Sequence, residues 1–473
     1  MRMTRRCGEW MKPAGRPLLL ALLLLGLAGS RPGTSSAATP PGFIHEVLPN
    51  GMEVSILPDS SHPIVATRVW YDVGAANEDP GTRGFVHLFE HLMFGGTATR
   101  DKRAYWDLHH ACGGSSNAYT DWDETVYQSD IPPVGHAQVL ELEADRMIHL
   151  RLDQENLDNE KRIVTEELRR GTENDPTARV QLAALKGVLR QHPYAVSPAG
   201  TKEDIAAVSL ERVRDFYARY YKPGNAHLIV VGPVDGDSLL GDVRRIFGAL
   251  PAEGVTPPDV PPLLGWPCPP EVDLKEDLPP AKIAFLVYML PPPSAPDADA
   301  VAILCEMLTG GYANPYREDL VVRRRKAIFA ETMRLDLRRG GPLVLISGVL
   351  PNRKKADQFG DIRVTVKNLG RKEWLTDESL AALQRKLMRR YENQDYFAAD
   401  RAEAIGTARW WSGDVGRAFD RSERIGAVTR AQVAAAFDRY IGGASPVRVY
   451  IEPEKIPLLV KMFGWLLPLF VHA

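Results

Sequence analysis

The chain has 473 residues, of which 58 are basic and 60 are acidic, so its formal net charge is -2. At about 150 residues per domain, this length predicts two to four folding units and a large buried interior. The balanced charge gives no electrostatic reason to expect nucleic acid or an anionic membrane as a partner. Function must therefore come from a local site.

The first 38 residues differ from the rest of the chain. Basic residues between Arg2 and Arg16 precede an apolar run from Leu18 to Leu27, and small residues follow up to Ala38. This order is typical of a secretory signal peptide, residues 1–38, and predicts a periplasmic or secreted protein. An uncleaved N-terminal anchor is the alternative, although the run is short for a bilayer span.

Cysteine usage does not indicate a disulfide framework. After the predicted leader only Cys112, Cys268 and Cys305 remain, an odd number without a Cys-x-x-Cys pair. We expect small buried side chains with at most one disulfide. The apolar tail, residues 454–473, is interrupted by Pro457, Lys461 and Pro468, so we expect no stable membrane span there. Its contact with a partner or with a membrane stays open.

From Phe43 onward the hydrophobic patterns predict a mixed α/β unit. Two strands are predicted within residues 46–58 around a Pro-Asn-Gly turn, and others over 64–73 and 227–231. Longer periodic segments predict helices over residues 101–111, 135–150, 157–170, 178–189 and 210–221.

The second half ends in the same way as the first. A helical pattern over 213–220, a Gly/Pro turn and an apolar run over 228–231 have counterparts at 433–440, a Gly-Gly turn and 447–451. A Pro-rich passage separates them and predicts a linker over 251–275, between a domain at 43–250 and another at 276–453. We therefore predict an α+β fold of two related α/β halves, each a mostly antiparallel sheet packed with helices.

The stretch FVHLFEHLMFGGT, residues 85–97, carries the chemistry. On a helix, His87 and His91 share a face and can both present ring nitrogens to one ion about 2 Å away. Glu90 lies close enough to reach a water on that ion without being a ligand. A random His-x-x-Glu-His is expected in about one or two such chains per hundred, so the motif needs support elsewhere.

A catalytic zinc site needs a third protein ligand and an open position for water. The predicted helix at 157–170 carries Glu160, Glu166 and Glu167. Glu160 and Glu167 are two turns apart and share a face, whereas Glu166 points about 100° away from Glu167, so only one of the adjacent pair can bind. Glu160 can alternatively be a solvated partner of Arg162 or Lys161.

Together these segments resemble a known family. Residues 84–97, followed by a glutamate on a second helix, are similar to the inverted zinc-binding motif of the pitrilysin, insulysin and mitochondrial processing peptidase family. Residues 117–120 resemble that family's active-site edge strand, and residues 192–194 with 200–201 resemble the passage after the ligand helix. The markers run from about residue 43 to 250, and the second half fits more loosely as the paired domain.

The resemblance implies a zinc metalloendopeptidase with one Zn²⁺ per chain. It implies that His87, His91 and Glu167 are the zinc ligands and that Glu90 is the general base for a water activated by zinc. Glu160 would be a carboxylate that orients a ligand histidine.

Two further residues are implied to bind the peptide substrate. Asn117 and Ala118 would add it as an extra strand through main-chain hydrogen bonds. The alternative is that both are ordinary residues between a turn and a strand, without a role in binding.

The chain departs from the family in one respect. Complete sites in the family take an Arg/Tyr pair from the complementary half, but residues 329–351 here contain three arginines and no tyrosine. The candidate residues in and before that region are Tyr312, Tyr316, Arg317, Arg334, Arg338 and Arg339. Because two domains resemble only one half of a clam-shell chamber, we expect a dimer, either with a second, metal-free subunit that supplies the pair or with a copy of itself.

The leading prediction is an endopeptidase that hydrolyses peptides or unfolded segments inside a closed chamber. One alternative is a non-catalytic scaffold or assembly subunit of a peptidase-like complex, and another is a metal-binding protein without hydrolysis. Neither alternative has a use for Glu90 between the two histidines. The sequence does not specify the substrate or the partner.

Overall fold

A computed structural model describes residues 39–79, 81–173, 175–252, 258–276, 281–309 and 314–455. The predicted signal peptide and nearly all of the apolar tail lie outside these ranges. Within them, no helix has both the length and the apolar character needed to cross a bilayer. Cys112, Cys268 and Cys305 are free thiols.

The first half contains a sheet and the helices that pack against it. Its strands are β1 Ile44–Val47, β2 Glu53–Pro58, β3 Val65–Tyr71, β4 Ser115–Thr120, β5 Thr125–Ile131 and β6 Ala226–Gly232. Its helices are α1 Phe85–Leu92, α2 Lys102–Cys112, α3 Pro133–His149, α4 Gln154–Leu168, α5 Pro176–Leu189, α6 Lys202–Ala207, α7 Leu210–Tyr220 and α8 Gly236–Ile246.

The second half repeats this layout. Its strands are β7 Glu271–Glu276, β8 Lys282–Met289, β9 Phe329–Arg334, β10 Pro342–Val349 and β11 Val447–Pro453. Its helices are α9 Ala298–Thr309, α10 Pro315–Arg317, α11 Lys355–Leu369, α12 Asp377–Gln394, α13 Ala398–Ser412, α14 Arg421–Ala427 and α15 Arg430–Phe437.

The two sheets have the same strand order. The first runs β1-β2-β6-β3-β5-β4 and the second runs β7-β11-β8-β10-β9. Each has one parallel pair, β2 with β6 and β7 with β11, and its other pairs are antiparallel. Apart from the additional β1, every strand of the first sheet has a counterpart in the second. The prediction of two related, mostly antiparallel halves is confirmed.

Each half covers the sheet of the other with one helix. Helix α13 packs on the first sheet, where Ile405 shares a core cluster with Trp70 and Ile229. Helix α5 packs on the second sheet, where Val188 joins a cluster with Val449. Since helices then cover both faces of β3, all seven of its residues are buried, including the polar ones. The exchange joins the halves through shared cores.

The predicted linker, residues 251–275, needs a correction. Residues 271–275 belong to β7, which pairs in parallel with β11, because EVDLKE alternates as a strand despite the prolines before it. The preceding passage is also packed. Leu263 is fully buried, and the ring nitrogen of Trp266 donates to the carbonyl of Leu189 at 3.2 Å.

Candidate active site

Helix α1 presents the His-x-x-Glu-His motif because its other face is anchored in the core. Val86, Leu88, Phe89 and Leu92 are buried, as the spacing of an amphipathic helix requires. The helix begins after Gly84, whose φ of 83° favours glycine, and a Cβ there would lie 2.4 Å from the carbonyl oxygen of Ala199. These constraints fix where the motif starts.

A buried carboxylate closes the N-terminal end of α1. Glu78 accepts hydrogen bonds from the backbone N–H groups of Gly84 at 3.0 Å and Val86 at 2.8 Å. It thereby satisfies donors that a helix start leaves unpaired. Burial raises the pKa of Glu78 to about 8, and these two hydrogen bonds oppose the shift. The sequence did not predict Glu78, because this residue lies in a loop with no periodic signal.

The structure brings His87, His91 and Glu167 together. One ligand atom from each lies within 4.8 Å of the others, and the group combines α1 with α4. The Nε2 atom of His91 is 3.4 Å from Oε2 of Glu167. The Nδ1 atom of His87 is buried and has no hydrogen-bond partner in the described part of the chain. Two imidazoles and one carboxylate fit the donor set of a catalytic zinc ion.

Glu160 lies behind His91. Its Oε2 is 3.5 Å from Nδ1 of His91, while its Oε1 accepts a 2.6 Å hydrogen bond from Nζ of Lys102. At 4% exposure Glu160 is not the solvated partner of Arg162 or Lys161 considered above. This geometry suits the predicted role of orienting the histidine, because it leaves Nε2 facing Glu167. Lys102, at the start of α2, was missed by the sequence analysis.

Glu166 points away from the donor group. Its carboxylate accepts hydrogen bonds from Arg169 at 2.8 Å and Arg170 at 2.6 Å. The hydrogen bond from Arg169 and then that from Arg170 lower the pKa of Glu166 to about 2. Of the two adjacent glutamates, Glu167 is the one beside the histidines.

Glu90 faces the edge of the first sheet. Its Oε2 accepts a 2.6 Å hydrogen bond from the hydroxyl of Thr120, the last residue of β4. Burial raises the pKa of Glu90, and the Thr120 hydrogen bond opposes that shift. The contact was not predicted, although the sequence analysis placed residues 117–120 on the active-site strand.

Asn117 and Ala118 also lie on β4, which is one of the two edge strands of its sheet. They pair with Gln128 and Tyr127 of β5, and β5 is the neighbour of β4 among the described strands. The main-chain groups along the other edge are therefore placed where an added strand could pair with them.

The two histidines have opposite electrostatic environments. Burial, followed by the charge of His91, lowers the pKa of His87 to about 4. Burial also disfavours charge on His91, but its hydrogen bonds to Glu160 and Glu167 prevail and raise its pKa to about 9. A metal ion must displace the proton that His91 carries near neutral pH, so metal binding releases a proton.

Three of the candidate arginines for the Arg/Tyr pair have other partners. Arg334 is 6% exposed and forms an ion pair with Asp336 at 2.5 Å. The guanidinium of Arg338 lies 4.5 Å from the ring centroid of Trp410, and Arg339 donates to the carbonyl of Val260 at 2.7 Å. Tyr316 is fully buried, whereas Tyr312 falls outside the described residues.

Two family models match the chain. The model described as "Insulinase (Peptidase family M16)" matches residues 54–202, and "Peptidase M16 inactive domain" matches residues 207–334. Together they cover more than half of the sequence. The chain belongs to peptidase family M16. The first match contains the histidine motif and Glu167, and the predicted pitrilysin-family membership is confirmed.

Its M16 relatives include named zinc proteases. Zinc protease PqqE of Helicobacter pylori is 31% identical over 204 residues, which are 43% of this chain and 46% of that protein. Probable zinc protease PqqL of Escherichia coli is 30% identical over 247 residues, 50% of this chain and 26% of that protein. The chain spans about half or less of the length of these relatives. Their names support a metallopeptidase.

Solved structures share the fold. A protease from H. pylori superposes with a TM-score of 0.78 at 23% identity, covering 87% of this chain and 99% of that one. An M16 inactive domain from Pseudomonas fluorescens gives a TM-score of 0.73 at 16% identity, covering 87% of this chain and 97% of that one. A solved E. coli structure is described as the periplasmic protease PqqL.

Proposed function

We propose that this M16 chain is a zinc-dependent endopeptidase. The observation that carries the proposal is the convergence of His87, His91 and Glu167, with Glu90 on the same helix as the two histidines. When bound there, zinc would supply a Lewis acid that lowers the pKa of water toward about 7 and polarises a carbonyl group.

Residues of the protein would orient the ligand histidine, transfer the proton and bind the peptide. Glu160, held by Lys102, keeps the His91 ring turned so that Nε2 faces Glu167. Glu90 accepts the proton of the attacking water and later passes it to the amine that leaves, which is the role of a general base followed by a general acid. A peptide would extend the first sheet beside Asn117 and Ala118 on β4, with main-chain hydrogen bonds that require little side-chain specificity.

We further propose export and assembly with a second subunit. The leader-like residues 1–38 support export. Arg334, Arg338 and Arg339 have partners of their own, which supports the view that an Arg/Tyr pair comes from a second M16 subunit. A homodimer is the other arrangement, and either would complete a chamber that admits peptides or unfolded segments.

The test is hydrolysis of a quenched fluorescent peptide library, measured for the purified protein alone and with candidate M16 partners, with zinc content determined on the same samples. We expect Glu90→Gln to retain zinc and to lower turnover by at least a hundredfold, because it removes the general base and leaves the ligands. Zinc binding without hydrolysis in every mixture would favour the scaffold function instead. Absence of bound zinc would reject the proposal.

A further inference from the structure

Thr120 links the edge strand of the first sheet to Glu90. Its hydroxyl donates to Oε2 of Glu90 at 2.6 Å, across 30 positions in the sequence. A distance of this size is typical of a charge-assisted O–H···O⁻ bond, which is about twice as strong as a neutral one. Among the described side chains, Thr120 is the hydrogen-bond donor that reaches this carboxylate.

A glutamate side chain does not hold its own carboxylate in one orientation. The last torsion of glutamate is broad, so the two oxygens can rotate with respect to the donor group formed by His87, His91 and Glu167. A fixed hydroxyl at one oxygen removes that freedom and leaves the other oxygen to accept a proton. This is the kind of support that a general base needs for a defined geometry.

The Thr120 hydroxyl is itself well fixed. Thr120 pairs with Thr125 of β5, and the turn between them is tied to the rest of the fold. Ala75 and Ala76 donate their N–H groups to the carbonyls of Asp121 at 3.0 Å and Trp122 at 2.8 Å. The position of the hydroxyl therefore follows the position of the end of β4.

We propose that Thr120 is a positioning residue that holds Glu90 in its working orientation and makes that orientation depend on β4, the strand beside which the peptide would lie. The inference rests on the proposed endopeptidase function. It adds that the end of β4 fixes the carboxylate of the base through one hydroxyl group.

The test compares Thr120→Val with Thr120→Ser. Valine keeps the β-branched shape and removes the hydroxyl, whereas serine keeps the hydroxyl. We expect Thr120→Val to lower kcat about tenfold to a hundredfold with KM and zinc content unchanged, and Thr120→Ser to stay within about threefold of the wild type. Thr125→Val is the matched control, because the Thr125 hydroxyl donates to the Val73 carbonyl and not to Glu90.

A double substitution separates positioning from general damage. If Thr120 acts through Glu90, Thr120→Val should cause no further loss in residual rate when added to Glu90→Gln. An equal loss in both backgrounds would overturn the inference, as would a wild-type kcat in Thr120→Val or a failure of Thr120→Ser to restore the rate.

A second readout does not depend on turnover. The carboxylate stretching band of Glu90, identified by infrared difference spectroscopy against Glu90→Gln, should shift in Thr120→Val and stay in place in Thr120→Ser. An unshifted band in Thr120→Val would overturn the inference even if no peptide is cleaved. Conversely, an active wild type with an inactive Glu90→Gln and a fully active Thr120→Val would refute the role of Thr120 and leave the proposed function intact.

Discussion

The two halves share a strand order but place different chemistry in corresponding pairs of helices. In the first half, α1 and α4 bring His87, His91 and Glu167 within 4.8 Å of one another. In the second half, α9 follows β8 as α1 follows β3, and α9 packs against α12. There Glu306 accepts hydrogen bonds from Lys386 at 2.9 Å and Arg390 at 2.7 Å.

The difference lies in where the balancing positive charge comes from. In the second half, Lys386 and Arg390 of α12 form ion pairs with Glu306 of α9, so side chains of the protein supply both charges. In the first half, the corresponding positive charge is carried by His91: burial opposes it, but hydrogen bonds to Glu160 and Glu167 prevail and raise the pKa of His91 to about 9. The same scaffold therefore balances its carboxylate with lysine and arginine in the second half and with an imidazole in the first, where a metal ion could take the place of the proton.

The largest effect is expected from removing a donor of the first half. Glu167→Ala should abolish stable zinc binding and lower peptidase activity by at least a hundredfold, because two imidazoles alone do not make a catalytic zinc site. Glu166→Ala is the matched control, since that carboxylate is bonded to Arg169 and Arg170. Zinc content by atomic emission and hydrolysis rates should separate the two variants. Zinc retained in Glu167→Ala and lost in Glu166→Ala would show that the ligand has been misassigned.

Replacing one buried carboxylate in each half should affect metal binding in the first half and folding stability in the second. Glu160→Gln should weaken zinc affinity about tenfold to a hundredfold, because the partner that orients His91 loses its charge. Glu306→Gln should leave zinc affinity unchanged and lower only the free energy of unfolding, since it leaves two cations of α12 without their carboxylate. Competition with a fluorescent chelator measures the first effect, and denaturant unfolding measures the second. Equal zinc affinities in the two variants would contradict the assigned difference.

The sequence predicted the parts of this site that are local and periodic. His87, Glu90 and His91 lie on one short helix. Glu167 lies on a second helix, where it is two turns from Glu160 and shares a face with it. Their convergence in space agrees with that prediction, while their roles as ligands and base stay predictions.

The missed residues belong to loops or to the ends of other elements. Glu78 and Lys102, like the unpredicted contact of Thr120 with Glu90, reach the site through tertiary packing that no local pattern encodes. The exchange of α5 and α13 was missed for a related reason. An amphipathic pattern shows that a helix has a buried face, but it does not say which sheet that face will cover.

The exchanged helices provide a smaller test of the same symmetry. A Cβ at Gly406 of α13 would lie 2.3 Å from the ring of Trp70, whereas one at Gly187 of α5 would lie 2.7 Å from a methyl group of Val272. Gly406→Ala should lower the free energy of unfolding by about 1–3 kcal/mol, because a rigid buried indole cannot move aside. Gly187→Ala should cost less, since a valine methyl can rotate away, while the helix preference of alanine, about 1 kcal/mol, favours both substitutions equally. Urea unfolding compares them, and the reverse order would contradict this packing argument.

Acid stability should also distinguish the halves. Burial lowers the pKa of His136 to about 4 and that of His227 to about 3, from an ordinary value of 6.5. Both lie in the first half, and the sequence from residue 228 to 455 contains no histidine. Because the folded state binds these protons more weakly than the unfolded state, their contribution to stability is complete above pH 6.5. It is then lost as pH falls from 6.5 toward 4.

Each of these histidines should add about 1.4 kcal/mol per pH unit to the slope of unfolding free energy over that interval. His136→Gln should reduce the slope by about 1.4 kcal/mol per pH unit, because glutamine takes up no proton in this range. Its neutral amide can stay near the Thr67 hydroxyl, which lies 3.1 Å from the imidazole. Denaturant unfolding at several pH values between 4 and 7 measures the slope, and His110→Gln, at an exposed position, controls for the substitution itself. An unchanged slope in His136→Gln would show that protonation of His136 does not cause the loss of unfolding free energy in acid.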